Sequence, residues 1–220
     1  MIKKMLTTKT VEIKRLKFNC YLYLKKVFDT AFSLVALILL GPIFLLLSLL
    51  IKIEDPKGKV IFSQARIGVN GEEFMCLKFK SMYHNAEAMK DQFTEEQKKE
   101  FSKNFKLKKD PRVTKVGRIL RNSSLDELPQ LINILKGEMS LVGPRPITRE
   151  ELDFYKGYEQ HFFSCKPGLT GLWQISGRSD TTYSERVLLD VQYALNRSVT
   201  LDIKILFLTI FRVLKREGAY

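Results

Sequence analysis

The sequence predicts an α+β protein that is mostly helical, with an N-terminal membrane helix broken at Gly41-Pro42 followed by a compact domain containing a β-hairpin. Three observations lead there. Residues Thr30 to Ile51 form one uncharged apolar run with Gly41-Pro42 at its centre. Two strand-like stretches flank a Gly/Asn turn. Most of the remaining chain reads as short helices punctuated by Gly and Pro. The 220 residues suffice for one domain plus an anchor, divided as a basic segment 1–28, a membrane helix 29–53 and a domain 54–220. The formal charge of +13 suits anionic partners, whether phospholipid, nucleotide, phosphorylated substrate or nucleic acid. Cys20, Cys76 and Cys165 are odd in number and lack metal-ligand spacing, which argues against disulfides or zinc and for a reducing compartment.

The apolar run is about 33 Å long as a straight helix, close to the hydrocarbon thickness of a bilayer. Its core is too long for a secretory signal, and no small-residue cleavage site follows. Pro42 cannot donate its N–H, and Gly41 loosens the same turn, so a kink is expected. Both flanks are basic: Lys25 and Lys26 precede the run, and Lys52, Lys57 and Lys59 follow it. Positive charge draws both ends to the cytoplasm. A re-entrant helix that enters and leaves by one leaflet and a simple span both remain compatible with these residues. The Lys-rich start suits an anionic lipid surface or a solvated tail.

Asp55-Pro56-Lys57-Gly58 marks a turn, after which Val60-Ile61-Phe62 and Glu73 to Phe79 read as strands of a hairpin. Residues 84–105 read as one exposed helix, ended by Asp110-Pro111-Arg112. Short helices follow at Val116 to Leu120 and Leu125 to Leu135, the latter ending at Gly137. Gly143-Pro144-Arg145-Pro146 is an irregular loop, Arg149 to Phe163 a helix, and Lys166 to Gly171 another loop. Tyr183 to Leu195 and Leu201 to Arg216 are helical; the apolar face of the last suits either the core or the membrane interface.

Asp126 and Glu127 carry the candidate chemistry. Adjacent helical side chains diverge by about 100°, so the two cannot form the facing pair of a glycosidase. Divergence instead suits a nucleophile beside a metal-binding or field-setting carboxylate. Pro129 places the pair near a helix N-terminus, which would keep Asp126 ionised. The structural alternative is that Ser124 and Glu127 form a capping box. Arg112, Arg118, Arg121, Arg145 and Lys78 are candidates for phosphate oxygens. If a pyrophosphate is cleaved, Mg²⁺ on the hard carboxylates is expected. No Walker loop, GxGxxG fingerprint or His-rich metal motif occurs, and His84 and His161 are isolated.

The chain resembles the small monotopic phosphoglycosyl transferases, bacterial sugar transferases that start glycan assembly on polyprenol phosphate. The resemblance runs from about Phe28 to Tyr220. It rests on the Gly41-Pro42 break, QARIGVNGEEFMCLKFKSM (64–82), DPRVTKVGRILRNSSLDELPQLINILKGEMSLVGPRP (110–146), KPGLTGLWQISGR (166–178) and the ending REGAY. It implies a re-entrant helix in the cytoplasmic leaflet of the inner membrane, amphipathic interfacial helices, and a ping-pong reaction on a UDP-sugar. Asp126 attacks the β-phosphorus, UMP leaves, and undecaprenol phosphate takes the phosphosugar. The resemblance also implies that Glu127 assists Mg²⁺, that Lys78 pairs with Asp126, and that Arg112, Arg121 and Arg145 bind phosphate. UDP-glucose or UDP-galactose is the implied donor, and exopolysaccharide or capsule the implied product class. Gly41 stands where some relatives have Ser, and Lys80 where many have Arg, which weakens any bidentate role there. The large multi-span region of the long relatives has no counterpart in this sequence, as in the small form. A homodimer is compatible with the apolar tail. A membrane-tethered nucleic-acid adaptor rests on charge alone; the acids inside the basic cluster and the lack of a recognised module speak against nucleic acid as a partner.

Overall fold

A computed structural model describes residues 2–104, 107, 110–177 and 181–214. Arg178 of the WQISGR motif and the REGAY ending lie outside the described residues.

Helix α1 (Ile2–Glu54) takes in both the basic segment and the apolar run. It continues through Gly41-Pro42, so the expected break does not interrupt the helix. One missing donor at Pro42 removes a single ladder bond, and the leucine-rich turns on either side retain theirs. Most of its apolar side chains are exposed, with Ile38, Leu39 and Leu45 at about 70%. One stripe, however, meets the rest of the chain from Tyr21 to Glu54. Tyr21 Oη donates to Asp202 at 3.0 Å and Lys25 Nζ at 2.7 Å. Asp29 Oδ1 accepts from Leu141 N. Leu47 and Ile51 join Phe79 and Leu120 in a small core. Glu54 accepts from the Lys115 and Val116 amides at 2.6 and 2.8 Å.

Strands β1 (Ile61–Ile67) and β2 (Glu73–Phe79) form the expected antiparallel hairpin, with Cys76 opposite Gln64 and Lys78 opposite Phe62. Asn70 at φ 58° and Gly71 at φ 79° turn the chain between them. The single helix expected over 84–105 is instead a 3₁₀ turn at Ala88–Gln92 and α2 (Glu95–Asn104). Thr94 Oγ1 accepts from Gln97 N while the Gln97 side chain accepts from Thr94 N, a reciprocal cap that starts a new helix.

Helix α3 (Lys115–Ser123) is capped by Thr114, whose Oγ1 accepts from Gly117 N at 2.8 Å. The helix expected over Leu125 to Leu135 is divided into a 3₁₀ turn (Leu125–Glu127) and α4 (Gln130–Leu135), with Pro129 at the junction. Ser124 adopts the left-handed conformation at φ 57° and its side chain makes no cap hydrogen bond, so the capping box is not formed. It closes α3 rather than opening the next helix.

Strand β3 (Ser140–Val142) pairs in parallel with β4 (Gly168–Thr170), so the loop expected over Lys166 to Gly171 contains a strand. Two three-residue strands are too short to show a period in sequence. The helix expected over Arg149 to Phe163 is a 3₁₀ turn (Glu150–Tyr155) and α5 (Glu159–Phe163), separated at Gly157, φ 86°. Helices α6 (Leu172–Ser176), α7 (Tyr183–Asn196) and α8 (Val199–Leu214) complete the domain. Ile205 of α8 is fully buried with Leu131, Met139, Val142 and Tyr193, whereas Ile203, Phe207, Ile210 and Phe211 stay exposed. One face of α8 therefore serves the core and the other is an apolar stripe.

Candidate functional site

The site is built where the end of β2 meets the turn between α3 and α4. Asn133, fully buried in α4, joins the two. Its Oδ1 accepts from Leu77 N at 3.0 Å, and its Nδ2 donates to Met75 O at 2.8 Å and to Glu138 Oε2 at 2.6 Å. A side-chain amide thus replaces a missing neighbouring strand along β2 and fixes the register of α4 against it. Helix α3 is held as closely. A Cβ on Gly117 would lie 2.0 Å from Ser81 O, so only glycine admits this approach, and Thr114 N donates to the same carbonyl.

These supports bring Asp126, Glu127, Lys78 and Arg121 together. Lys78 Nζ lies 2.6 Å from Glu127 Oε1, and about a third of each side chain is exposed. The pairing implied by the resemblance, Lys78 with Asp126, is thus realised with Glu127 instead. Burial acts to lower the Lys78 ammonium, but Glu127 and then Asp126 more than offset it, and the net shift is upward. Burial, then repulsion from Glu127, pushes the Asp126 carboxyl up to about 6, against the pull of Lys78 and Arg121. The expected effect of a helix N-terminus is outweighed here, because Asp126 sits in the 3₁₀ turn before α4. At neutral pH it is still mainly ionised. Arg121 donates from Nε to Ser81 Oγ at 2.9 Å, and its charge acts on Asp126.

Of the other candidates, Arg112 and its partner Asp110 stand close enough for their charges to act on Arg121. Arg112 is almost fully buried and bidentate to Asp110, with Nε to Oδ1 at 2.9 Å and Nη2 to Oδ2 at 2.7 Å. Its guanidinium also lies over the Phe93 and Phe101 rings. These contacts hold it in place beside Arg121, and the Asp110-Pro111-Arg112 spacing was the available signal of the pair. Arg118 is exposed on α3. Arg145 lies 5.4 Å over the Trp173 ring, which it shares with Arg186 at 5.0 Å. The Arg145 loop is anchored by Arg66, which donates to Pro146 O at 3.2 Å and to Glu151 at 3.1 Å. Cys76 feels Lys78 and Glu127 on one side and Arg66 and Arg145 on the other, so it lies between the two clusters. Asn133 and Arg66 were missed in sequence; a polar residue within the apolar turn QLINIL was the only hint of the first.

Among the described residues no third Asp, Glu, His or Cys joins Asp126 and Glu127 as a metal-binding group. Two adjacent carboxylates fit an ion such as Mg²⁺, which commonly takes one or two carboxylates and completes its shell with water and substrate phosphates. The repulsion that raises Asp126 is what such an ion would relieve.

Known proteins resemble this chain over most of its length. The family model described as "Bacterial sugar transferase" matches residues 20–216. The chain is 45% identical over 199 residues to the exopolysaccharide production protein ExoY of Sinorhizobium fredii, covering 89% of this chain and 88% of that protein. It is 46% identical over 201 residues to the undecaprenyl-phosphate galactose phosphotransferase of Salmonella typhimurium, covering 90% of this chain but 42% of the relative. It is 38% identical to the undecaprenyl-phosphate glucose phosphotransferase of Komagataeibacter xylinus, covering 89% and 37%. It thus spans most of the first protein and less than half of the other two. The match of the family model over residues 20–216, together with 45% identity to a relative covered over 88% of its length, makes this chain a transferase of the bacterial sugar transferase family.

Proposed function

We propose that this protein moves a sugar 1-phosphate from a UDP-sugar to undecaprenol phosphate through a covalent Asp126 intermediate, at the cytoplasmic face of the inner membrane. The observation that carries the reading is the split of the two carboxylates: Glu127 is neutralised by Lys78, while no side-chain partner holds Asp126 among the described residues. An Asp126 oxygen attacks the β-phosphorus of the donor. The bond from that phosphorus to the bridging oxygen breaks, UMP leaves with its electron pair, and the phosphosugar remains as an acyl phosphate. An oxygen of undecaprenol phosphate then attacks the same phosphorus, releasing the Asp126 carboxylate and the polyprenol diphosphosugar. The acceptor oxygen is already anionic, so neither step needs a general base. Lys78 and Arg121 supply positive charge to the equatorial oxygens, and Arg145 serves the other end of the donor. Mg²⁺, held by Asp126 and Glu127, would neutralise charge on the leaving phosphate.

The names of the relatives support galactose or glucose as the sugar and exopolysaccharide or capsule assembly as the setting. The re-entrant reading of α1 draws its support from the packing of the helix. Tyr21 and Lys25, before the apolar run, and Leu47, Ile51 and Glu54, at its end and beyond, all touch one compact domain. A helix that crossed the bilayer would carry its two ends to opposite sides. The exposed stripe of α8 suits the interface beside it or a second copy of the chain.

The test is UMP release from a panel of UDP-sugars by the purified protein with Mg²⁺, with and without undecaprenol phosphate. Lipid-dependent release from UDP-galactose or UDP-glucose is expected. A complete set of donors giving no UMP and no phosphosugar adduct on Asp126 overturns the reading.

A further inference from the structure

A cavity of about 410 Å³ lies at the opposite end of α4 from Asp126, framed by Lys26, Asp29 and Thr30 of α1, Lys136 and Gly137 after α4, and Lys166 before β4. We propose that Lys26, Lys136 and Lys166 form a headgroup site for the phosphodiester of an anionic phospholipid, separate from the reaction centre.

The first argument is charge. Three lysines line the cavity with one aspartate, and that carboxylate is already engaged: Asp29 is buried and accepts from Leu141 N. Among the described residues no carboxylate lies within ion-pair distance of Lys26, Lys136 or Lys166. The neighbouring Lys25, by contrast, is bound to Asp202 at 2.7 Å. Burial, and then the charge of Lys26, lower the Lys166 ammonium against the pull of Asp29, so the two lysines repel each other. An anion between them removes that conflict.

The second argument is shape. Gly137 has φ 80°, and a Cβ there would meet Lys166 Nζ at 3.5 Å. The bare backbone leaves room beside the ammonium. Support for the last carbonyls of α4 does not account for the group, because that helix has six residues and Lys26 comes from another element.

The third argument is depth. Lys26 to Thr30 lead directly into the apolar run, with Val27 and Phe28 half exposed beside them. With α1 seated in the membrane as proposed above, the cavity lies at the level of the headgroups, where basic pockets beside membrane helices capture lipid phosphates. Asp126 and Lys136 are separated by about 15 Å along the α4 segment. A phosphate in this cavity therefore cannot be the one that attacks at Asp126, which favours a bulk phospholipid over the acceptor.

The experiment uses the full chain in neutral detergent, titrated with dioctanoyl phosphatidylglycerol, dioctanoyl phosphatidylcholine or inorganic phosphate. Readouts are the thermal midpoint and the lipid retained in native mass spectrometry. Phosphatidylglycerol is expected to raise Tm by about 5 °C, with one molecule retained per chain. Phosphatidylcholine should do neither. The double variant Lys26→Gln/Lys166→Gln should unfold no lower than wild type without anionic lipid, since it relieves the same conflict, and should lose both effects. Lys57→Gln, in the turn after the far end of α1, should keep them. An equal phosphatidylglycerol response in the double variant overturns the proposal. So does an equal response to inorganic phosphate, or displacement of the retained lipid by stoichiometric undecaprenol phosphate. Neither readout involves UMP or the sidedness of α1, so failure here is distinct from failure of the catalytic or topological reading.

Discussion

Lys78 Nζ sits 2.6 Å from Glu127 Oε1, while the neighbouring Asp126 makes no side-chain ion pair among the described residues. Lys78 and Arg121 pull on Asp126 from farther off, so the two adjacent carboxylates are unequal. The paired one is fixed in place, and the unpaired one is less acidic than an ordinary aspartate at about 6. A weakly acidic carboxylate is a better nucleophile than a strongly acidic one, yet it remains mainly ionised at neutral pH.

Asp126→Asn is therefore expected to lower transfer by more than about 1,000-fold, while the Tm and the membrane-bound fraction stay at wild-type values. The check is UMP release alongside a thermal scan. Near-normal turnover in this variant would remove Asp126 from the mechanism.

Lys78→Met separates two roles. If Lys78 only holds Glu127 in place, Lys78→Arg should recover most of the activity lost in Lys78→Met. If its charge meets the transferring phosphoryl group, both variants stay low, because the planar guanidinium cannot occupy the same point. The second outcome is expected, with kcat down roughly 100-fold in Lys78→Met. Steady-state kinetics with both variants decide between them.

Asn133 shows what the sequence could and could not reveal. Asp126-Glu127 stood out as an acidic pair in a basic stretch, and the hairpin followed from its turn residues. The contacts that make the pair a site join residues far apart in the chain: Lys78 to Glu127 and Asn133 to Met75 have no local signature. The short parallel strands β3 and β4 were hidden for the same reason, since pairing across the chain rather than local pattern creates them. The buried aspartate partner of Arg112 likewise had no signature beyond the Asp-Pro-Arg spacing.

Replacing Asn133 with Ala leaves Met75 O and Leu77 N unsatisfied at the edge of β2. Each such buried group costs about 1–3 kcal/mol. Asn133→Ala should thus lose about 2–6 kcal/mol of stability and most activity. Asn133→Asp should be worse, because a carboxylate would face Met75 O and Glu138. Urea unfolding of the three proteins ranks them, and wild-type stability in Asn133→Asp would contradict the stapling role.

Asp190 supplies a pH test at the loop that carries Arg145, whose backbone it also bonds. It is buried, Tyr155 Oη donates to its Oδ2 at 2.7 Å, and burial pushes its carboxyl up to about 7. A folded-state value above the unfolded one means that the native protein binds the extra proton. The associated stability is complete below the ordinary aspartate range and is lost as pH rises through about 7. Wild-type Tm should therefore fall between pH 5 and 8, and Asp190→Asn should flatten that slope. An identical slope in both proteins would show that Asp190 does not titrate in this window.

Sidedness can be read from a native residue. Cys20 is exposed on α1, before the apolar run, while Cys76 and Cys165 are buried. A helix that returns to its own leaflet keeps Cys20 in the cytoplasm with the domain it touches through Tyr21 and Lys25. A membrane-impermeant maleimide added to intact cells should leave Cys20 unmodified, and permeabilisation should expose it. A crossing helix would expose Cys20 from outside, but only by pulling Tyr21 and Lys25 away from Asp202 and uncovering a buried carboxylate. Labelling of intact cells would thus refute the re-entrant reading and require the clamp on Asp202 to open in the membrane.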